Sequence, residues 1–209
     1  LPAAHEVSVA IDGGAGMDSS TARDAGAPAP DAGVEATALL IVAGDLGMAV
    51  VDVTDPRAPR VLGDASRGDE DEPLPLYSVA SDSQGRVFAG RMGGIEEYAV
   101  VGGTLEYRRW IGVIHPDVID GAHVAVEDVV VAGERLYAAL GVHGIAILAV
   151  TDREILHLGM IEAEVAVHHI ALLDPDHLVT YEGRDPALIV YDVRDPQNVT
   201  RELASRADD

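Results

Sequence analysis

Histidine beside carboxylate, repeated at matching places along the chain, is the pattern here most able to do chemistry. Val167-His168-His169-Ile170 opens one apolar stretch, and His123 precedes another, Val126-Glu127-Asp128-Val129. With Leu136 aligned on Leu178, 42 residues apart, Glu127 corresponds to His169, and the matching residue of an earlier unit is Ser78. If these stretches line one shared space, Ser78, Glu127 and His169 could converge there, with His168 and His123 close by. Imidazole with carboxylate is a ligand set for zinc or another divalent ion. Against that reading, neighbouring residues on a strand point to opposite faces, so only one of His168 and His169 can enter such a space. Polar residues lining a channel can also be simply hydrated.

Acidic turns are a second source of ligands. Gly68-Asp69-Glu70-Asp71-Glu72 forms one run, and Asp45, Asp55 and Asp120 sit in other turns. Calcium takes hard oxygen ligands of this kind. Neither an EF-hand pattern with its closing Glu nor a Gly-Gly-x-Gly-x-Asp array is present, so these runs read foremost as charged loops that aid solubility. Tyr107, Arg108, Arg109 and Trp110 form the single aromatic and basic cluster. Such residues suit a contact patch, but the favoured reading is a fourth strand covering the blade edge, with Trp110 filling a gap between blades.

Other chemistries are excluded by what is missing. With no Cys there are no disulfides, thiolate metal sites or Cys nucleophiles. With no Lys there is no phosphate-binding Gly-Lys-Ser/Thr loop, and neither Gly-x-Ser-x-Gly nor His-Glu-x-x-His occurs. The net charge of −22, from 14 basic and 36 acidic residues, repels nucleic acid and anionic membrane. No apolar run reaches the roughly 18 residues of a membrane-spanning segment. All 14 basic residues are Arg and Asn198 is the only Asn, a skew expected of a GC-rich bacterial genome.

The elements that must position these residues are short and repeated. AVVDVTDPRAP (49–59) and LIVYDVRDPQNV (188–199) are the clearest copies, with GIEEYAVVGGTLEY (94–107) and GIAILAVTDREIL (144–156) between them. The last apolar residues of the third strands, Val53, Val100, Val150 and Val193, lie 47, 50 and 43 residues apart. A period of about 40–50 residues built from short strands marks a β-propeller. Each unit offers four strand slots separated by Gly, Asp, Ser and Pro turns, and no stretch keeps a helical period. The expected fold is all-β: about four blades of four antiparallel strands over 37–209, divided near 37–76, 77–125, 126–166 and 167–209. Residues 1–36, rich in Ala, Gly, Asp and Pro with six acids against one Arg, are expected to be a disordered tether. Within them VSVAID (7–12) alternates like a strand, and reads as a leader remnant or as a stray inner strand of a first blade.

MAVVDVTDPRAPRVLG (48–63) and, more loosely, ALIVYDVRDPQNVTREL (187–203) resemble the LVIVD-repeat family of bacterial surface β-propellers. The resemblance covers about 37–203. The middle copies depart from it, with Gly102-Gly103 and Asp152-Arg153 where Asp-Pro stands elsewhere. It implies an extracellular or cell-surface protein with no general catalytic motif. The function expected is therefore a non-catalytic scaffold that binds a protein or a glycan, with no cofactor. The alternative is a propeller enzyme of the metal-dependent lactonase or oxidoreductase type, its ion held near His169 and Glu127. Four blades are fewer than most propellers carry, so a partial propeller is expected, completed by further blades of a longer chain or by a second protomer, with a complete four-blade ring as the lesser alternative.

Overall fold

The computed structural model describes residues 5–10, 38–44, 47–65, 75–113, 124–163, 166–182 and 187–206. No helix occurs among them. Sheet 1 holds β1 (His5–Ala10), β2 (Ala38–Gly44), β3 (Gly47–Asp52) and β4 (Arg60–Ala65). Sheet 2 holds β5 (Leu76–Ser81), β6 (Arg86–Arg91), β7 (Gly94–Val101) and β8 (Thr104–Gly112). Sheet 3 holds β9 (Asp128–Ala132), β10 (Arg135–Ala139), β11 (Ile145–Val150) and β12 (Ile155–Ile161). Sheet 4 holds β13 (Val167–Asp174), β14 (His177–Glu182), β15 (Ala187–Asp192) and β16 (Thr200–Arg206). Each sheet is an antiparallel meander in chain order. Successive sheets touch along their first strands, β1 on β5, β5 on β9 and β9 on β13. The first strands are thus innermost, and the four sheets form a partial β-propeller.

One boundary differs from expectation. β1, inside the segment read as tether, pairs with β2 from His5 opposite Ala43 to Ala10 opposite Ala38. Residues 7–10 of VSVAID therefore take the inner-strand alternative. Without them the inner edge of β2 would present unpaired N–H and C=O groups. The rest of 1–36 lies outside the described residues.

The core lies between the sheets. Three buried clusters fill the three seams. β6, β7, β10 and β11 are covered from both sides, which is why they read as apolar runs and not as alternation. The two Asp-Pro copies fold alike: Asp55 and Asp195 each accept the N–H two residues on, from Arg57 and Gln197. Asp52 and Asp192 do the same for Thr54 and Arg194. These side chains close the turns that follow the third strands.

Arginines tie sheet to sheet. Arg86, at the head of β6, is buried and donates from Nε to Asp82 Oδ2 at 2.6 Å. Its Nη1 donates to the Val150 carbonyl of sheet 3 at 2.9 Å. Arg135, in the same place on β10, donates to the Val193 carbonyl of sheet 4, also at 2.9 Å. On the outer strands glycine allows direct approach. A Cβ on Gly159 would stand 2.1 Å from the Pro196 carbonyl oxygen of the next sheet.

Candidate functional site

The heads of β9 and β13 are placed by the preceding sheet. The loop after each second strand pairs with the start of the next inner strand, Met92 with Ala125 and Gly141 with Val167. Val126 N–H donates to the Arg91 carbonyl at 3.1 Å, and Val167 N–H to the Gly141 carbonyl at 3.0 Å. Glu127 and His168 follow immediately, so both emerge at the same end of the inner strands. A bulge between Val167 and His169 leaves His168 as the extra residue, which redirects its side chain.

There Glu127 Oε2 meets His168 Nδ1 across the seam between sheets 3 and 4. Beside them Asp128 Oδ2 accepts the Ile170 N–H at 3.0 Å and lies 3.8 Å from His169 Nδ1. The Glu127, His168 and His169 side chains are 32%, 47% and 60% exposed. Gly141 makes room for this pair. At φ +58 it holds a conformation that disfavours any side chain, and a Cβ there would stand 2.8 Å from Glu127 Oε1, so the Glu127 carboxylate would have to shift.

The register differs from the sequence alignment by one residue. Ser78 lies opposite Gly90, Asp128 opposite Ala139 and His169 opposite Tyr181. Asp128, not Glu127, is thus the counterpart of His169, and Glu127 that of His168. The cause is a second bulge, between Leu172 and Asp174, which adds one residue to β13. Ser78 is not part of the exposed group: it is buried, and a Cβ on Gly90 would meet both its Oγ, at 2.7 Å, and the Val126 carbonyl. Its hydroxyl has no hydrogen-bond partner among the described residues. His123, Asp45, Asp120 and the 68–72 run lie outside those residues. Among the described residues no three His, Asp or Glu side chains are placed to share a metal ion. Asp55 serves its own turn.

Two further carboxylates are buried in β7, where the sequence reading had only a strand. Glu96 is 2% exposed, held by Arg91 Nη1 and the Tyr98 hydroxyl, each at 2.5 Å. The Arg91 guanidinium lies 5.3 Å from the ring centre of Trp110, which is 40% exposed. Trp110 also covers Gly94, where a Cβ would stand 2.5 Å from the indole. Trp110 is thus a partly exposed cover over Arg91 and Gly94 of its own sheet, and Tyr107, also exposed, stands edge-on to Tyr98. Glu97, on the opposite face, is 5% exposed and accepts from Arg109 Nε at 2.5 Å, while Arg109 Nη2 donates to the Thr151 carbonyl of sheet 3. Two adjacent Glu residues in a strand whose counterparts are Ala146 and Ile147 were the available signal.

At the opposite end of sheet 4, Asp174 hydrogen-bonds His177 at 2.9 Å and holds its pKa above the ordinary value. Asp174 is itself held below the carboxylate range by the Asp176 N–H, then by His177. Hydrogen bonding from Arg194 lowers Asp192 to about 2. A cleft of about 370 Å³ separates Met160, Ile161 and Glu162 from the 196–199 turn.

No family model matches the chain, and no curated protein matches it. Solved structures do. A computationally designed protein, Ika8, aligns at 12% identity with a TM-score of 0.55, over 80% of this chain and 46% of its own. A protein from Lactobacillus plantarum aligns at 12% identity with a TM-score of 0.58, over 79% of this chain and 52% of its own. The chain spans about half the length of each. At that identity the likeness is one of fold alone, and the fold is an all-β arc of four propeller sheets.

Proposed function

We propose that this chain is a non-catalytic binding scaffold, displayed outside the cell, whose ligand contacts the inner-strand heads around Glu127 and His168. The observation that carries this reading is the exposed group on two adjacent inner strands: Glu127 with His168, and Asp128 with His169. Its backbone is fixed by pairing with the preceding sheet, while the two histidines face solvent and the two carboxylates are half-buried beside them. That is the arrangement of a recognition surface on a rigid frame. The carboxylates already have partners in histidine and backbone N–H, which favours recognition of a polar protein or glycan surface over binding of a bare ion. The net charge of −22 favours a partner with a basic surface. The Val-x-Asp-Pro copies support membership of the LVIVD-repeat propellers, and with the acidic 1–36 segment they support a surface location.

Elemental analysis of the purified protein separates this reading from a metal-dependent enzyme. Less than about a tenth of an equivalent of calcium or any transition metal is expected. One equivalent, together with turnover of a lactone that His168→Ala abolishes, would replace the scaffold reading. A glycan and basic-protein array at near-physiological salt then supplies the ligand class.

A further inference from the structure

The same positions build every seam between sheets. In each sheet the third-strand valine (Val53, Val100, Val150, Val193) donates its N–H to the carbonyl at the head of the second strand (Ala38, Gly85, Glu134, Asp176). Counted from these, Phe88 and Ile95 of sheet 2 meet Leu136, Ala138, Ala146 and Leu148 of sheet 3 in one buried cluster. Equivalent positions fill the other seams, Ile41 and Met48 against Val87 and Ala89, and Tyr137 and Ile145 against Leu178 and Ile189.

Two faces remain uncovered among the described residues, one on sheet 4 and one on sheet 1. The same count selects Val179 and Leu188 on the first, and Leu40, Val42, Ala49 and Val51 on the second. All six are apolar and none is buried; Leu188 is 54% exposed. A sheet with one face in water alternates apolar with polar residues. β2 does not: Leu39, Ile41 and Ala43 are buried, yet Leu40 and Val42 between them are apolar too.

We propose that these two faces meet between two copies of this chain. Sheet 4 of each copy packs on sheet 1 of the other, which closes eight sheets into one ring. The faces are the two halves of a seam the chain already makes three times with itself. The chain also spans 46% and 52% of two solved structures of this fold, so two arcs match one such chain. The contact is head-to-tail and closes after two copies, so it does not run on as a filament. No arginine reaches across it: the place of Arg86 and Arg135 is taken by His177, which Asp174 of its own sheet holds. The seam between sheets 1 and 2 forms likewise, with Leu39 in that place. Each copy carries −22, and none of the six seam residues is charged, so screening by salt favours association.

Light scattering of the 209-residue chain over a concentration series should give twice 21.9 kDa and nothing larger. The dimer should dissociate more readily at about 10 mM than at about 150 mM salt. The chain has no Cys, so copies carrying Val51→Cys and Leu188→Cys singly can be mixed with a short bis-maleimide. The mixture should yield covalent dimer and either variant alone should not. Leu188→Glu should weaken association about tenfold or more while the circular dichroism of its monomer stays that of the wild type. A single-copy mass at every concentration and salt overturns the proposal and assigns the two faces to further sheets of a longer polypeptide or to another protein. A ladder of masses beyond two copies also overturns it.

Discussion

Arg109 and Glu97 occupy places that hold Gly159 and Ile147 in sheet 3 and Gly63 and Val50 in sheet 1. Sheet 2 thus carries a buried ion pair where its neighbours carry an apolar side chain against glycine. Glu97 is 5% exposed, and its Oε2 accepts from Arg109 Nε at 2.5 Å. Removing one partner of such a pair strands a buried charge, at a cost of about 3–5 kcal/mol. Arg109→Gly should therefore destabilise by about 3 kcal/mol, the lower end because the Arg109 side chain is 24% exposed and water reaches it. For a chain of this size that is roughly a 6–12 °C fall in melting temperature. Glu97→Ile with Arg109→Gly recreates the sheet 3 arrangement and should lie within about 1 kcal/mol of the wild type, because buried pairs are often replaceable by apolar packing. Thermal and urea unfolding of wild type, both single variants and the double variant form a cycle that isolates the coupling. If the double variant is as unstable as the sum of the singles, the positional equivalence of sheets 2 and 3 is refuted.

Arg86→Ala should cost more than Arg135→Ala in the same unfolding assay, about 3 against about 1 kcal/mol. The first strands buried Asp82 and the Val150 carbonyl, the second only backbone carbonyls at a half-exposed edge. Gly159→Ala should destabilise by more than about 2 kcal/mol, since its Cβ would stand 2.1 Å from the Pro196 oxygen of the adjoining sheet. Acid should loosen the sheet 4 turn. Asp192 titrates near 2, below the ordinary 3.8, so its contribution is present above 3.8 and is lost as pH falls through 2. Arg194→Ala should flatten that part of a stability–pH profile. His177 has the opposite sign: its contribution is full below 6.5 and is lost as pH rises through its raised value, a loss that Asp174→Asn should remove.

The repeat was legible because turns and third strands depend on local chemistry. Asp55-Pro56 and Asp195-Pro196 close their turns with their own side chains, and Val53, Val100, Val150 and Val193 mark equivalent strand ends. The candidate site was legible in part. Glu127, His168 and His169 do come to one end of adjacent strands, but a bulge at Leu173 pairs Glu127 with His168 where counting had matched it to His169. A bulge changes register without changing the apolar pattern, so alternation could not disclose it. Ser78 looked like a third member because it shares the inner-strand slot. It is buried beside Gly90, where the Val126 carbonyl of the next sheet also lies, and no local pattern reports that packing. The burial of Glu96 and Glu97 was hidden for the same reason: which face of a strand is covered is decided by the sheet packed on it.

The direct test of the scaffold reading is the affinity of the array-selected ligand for the wild type and for Glu127→Gln/His168→Ala, measured side by side by titration calorimetry. His168 is exposed and Glu127 half-buried at the surface, and Glu127→Gln keeps the shape of its side chain, so the double variant should keep the fold. A loss of affinity of tenfold or more, about 1.4 kcal/mol, is the predicted result. Unchanged affinity, or no binding by the wild type to any arrayed glycan or basic protein, would contradict it.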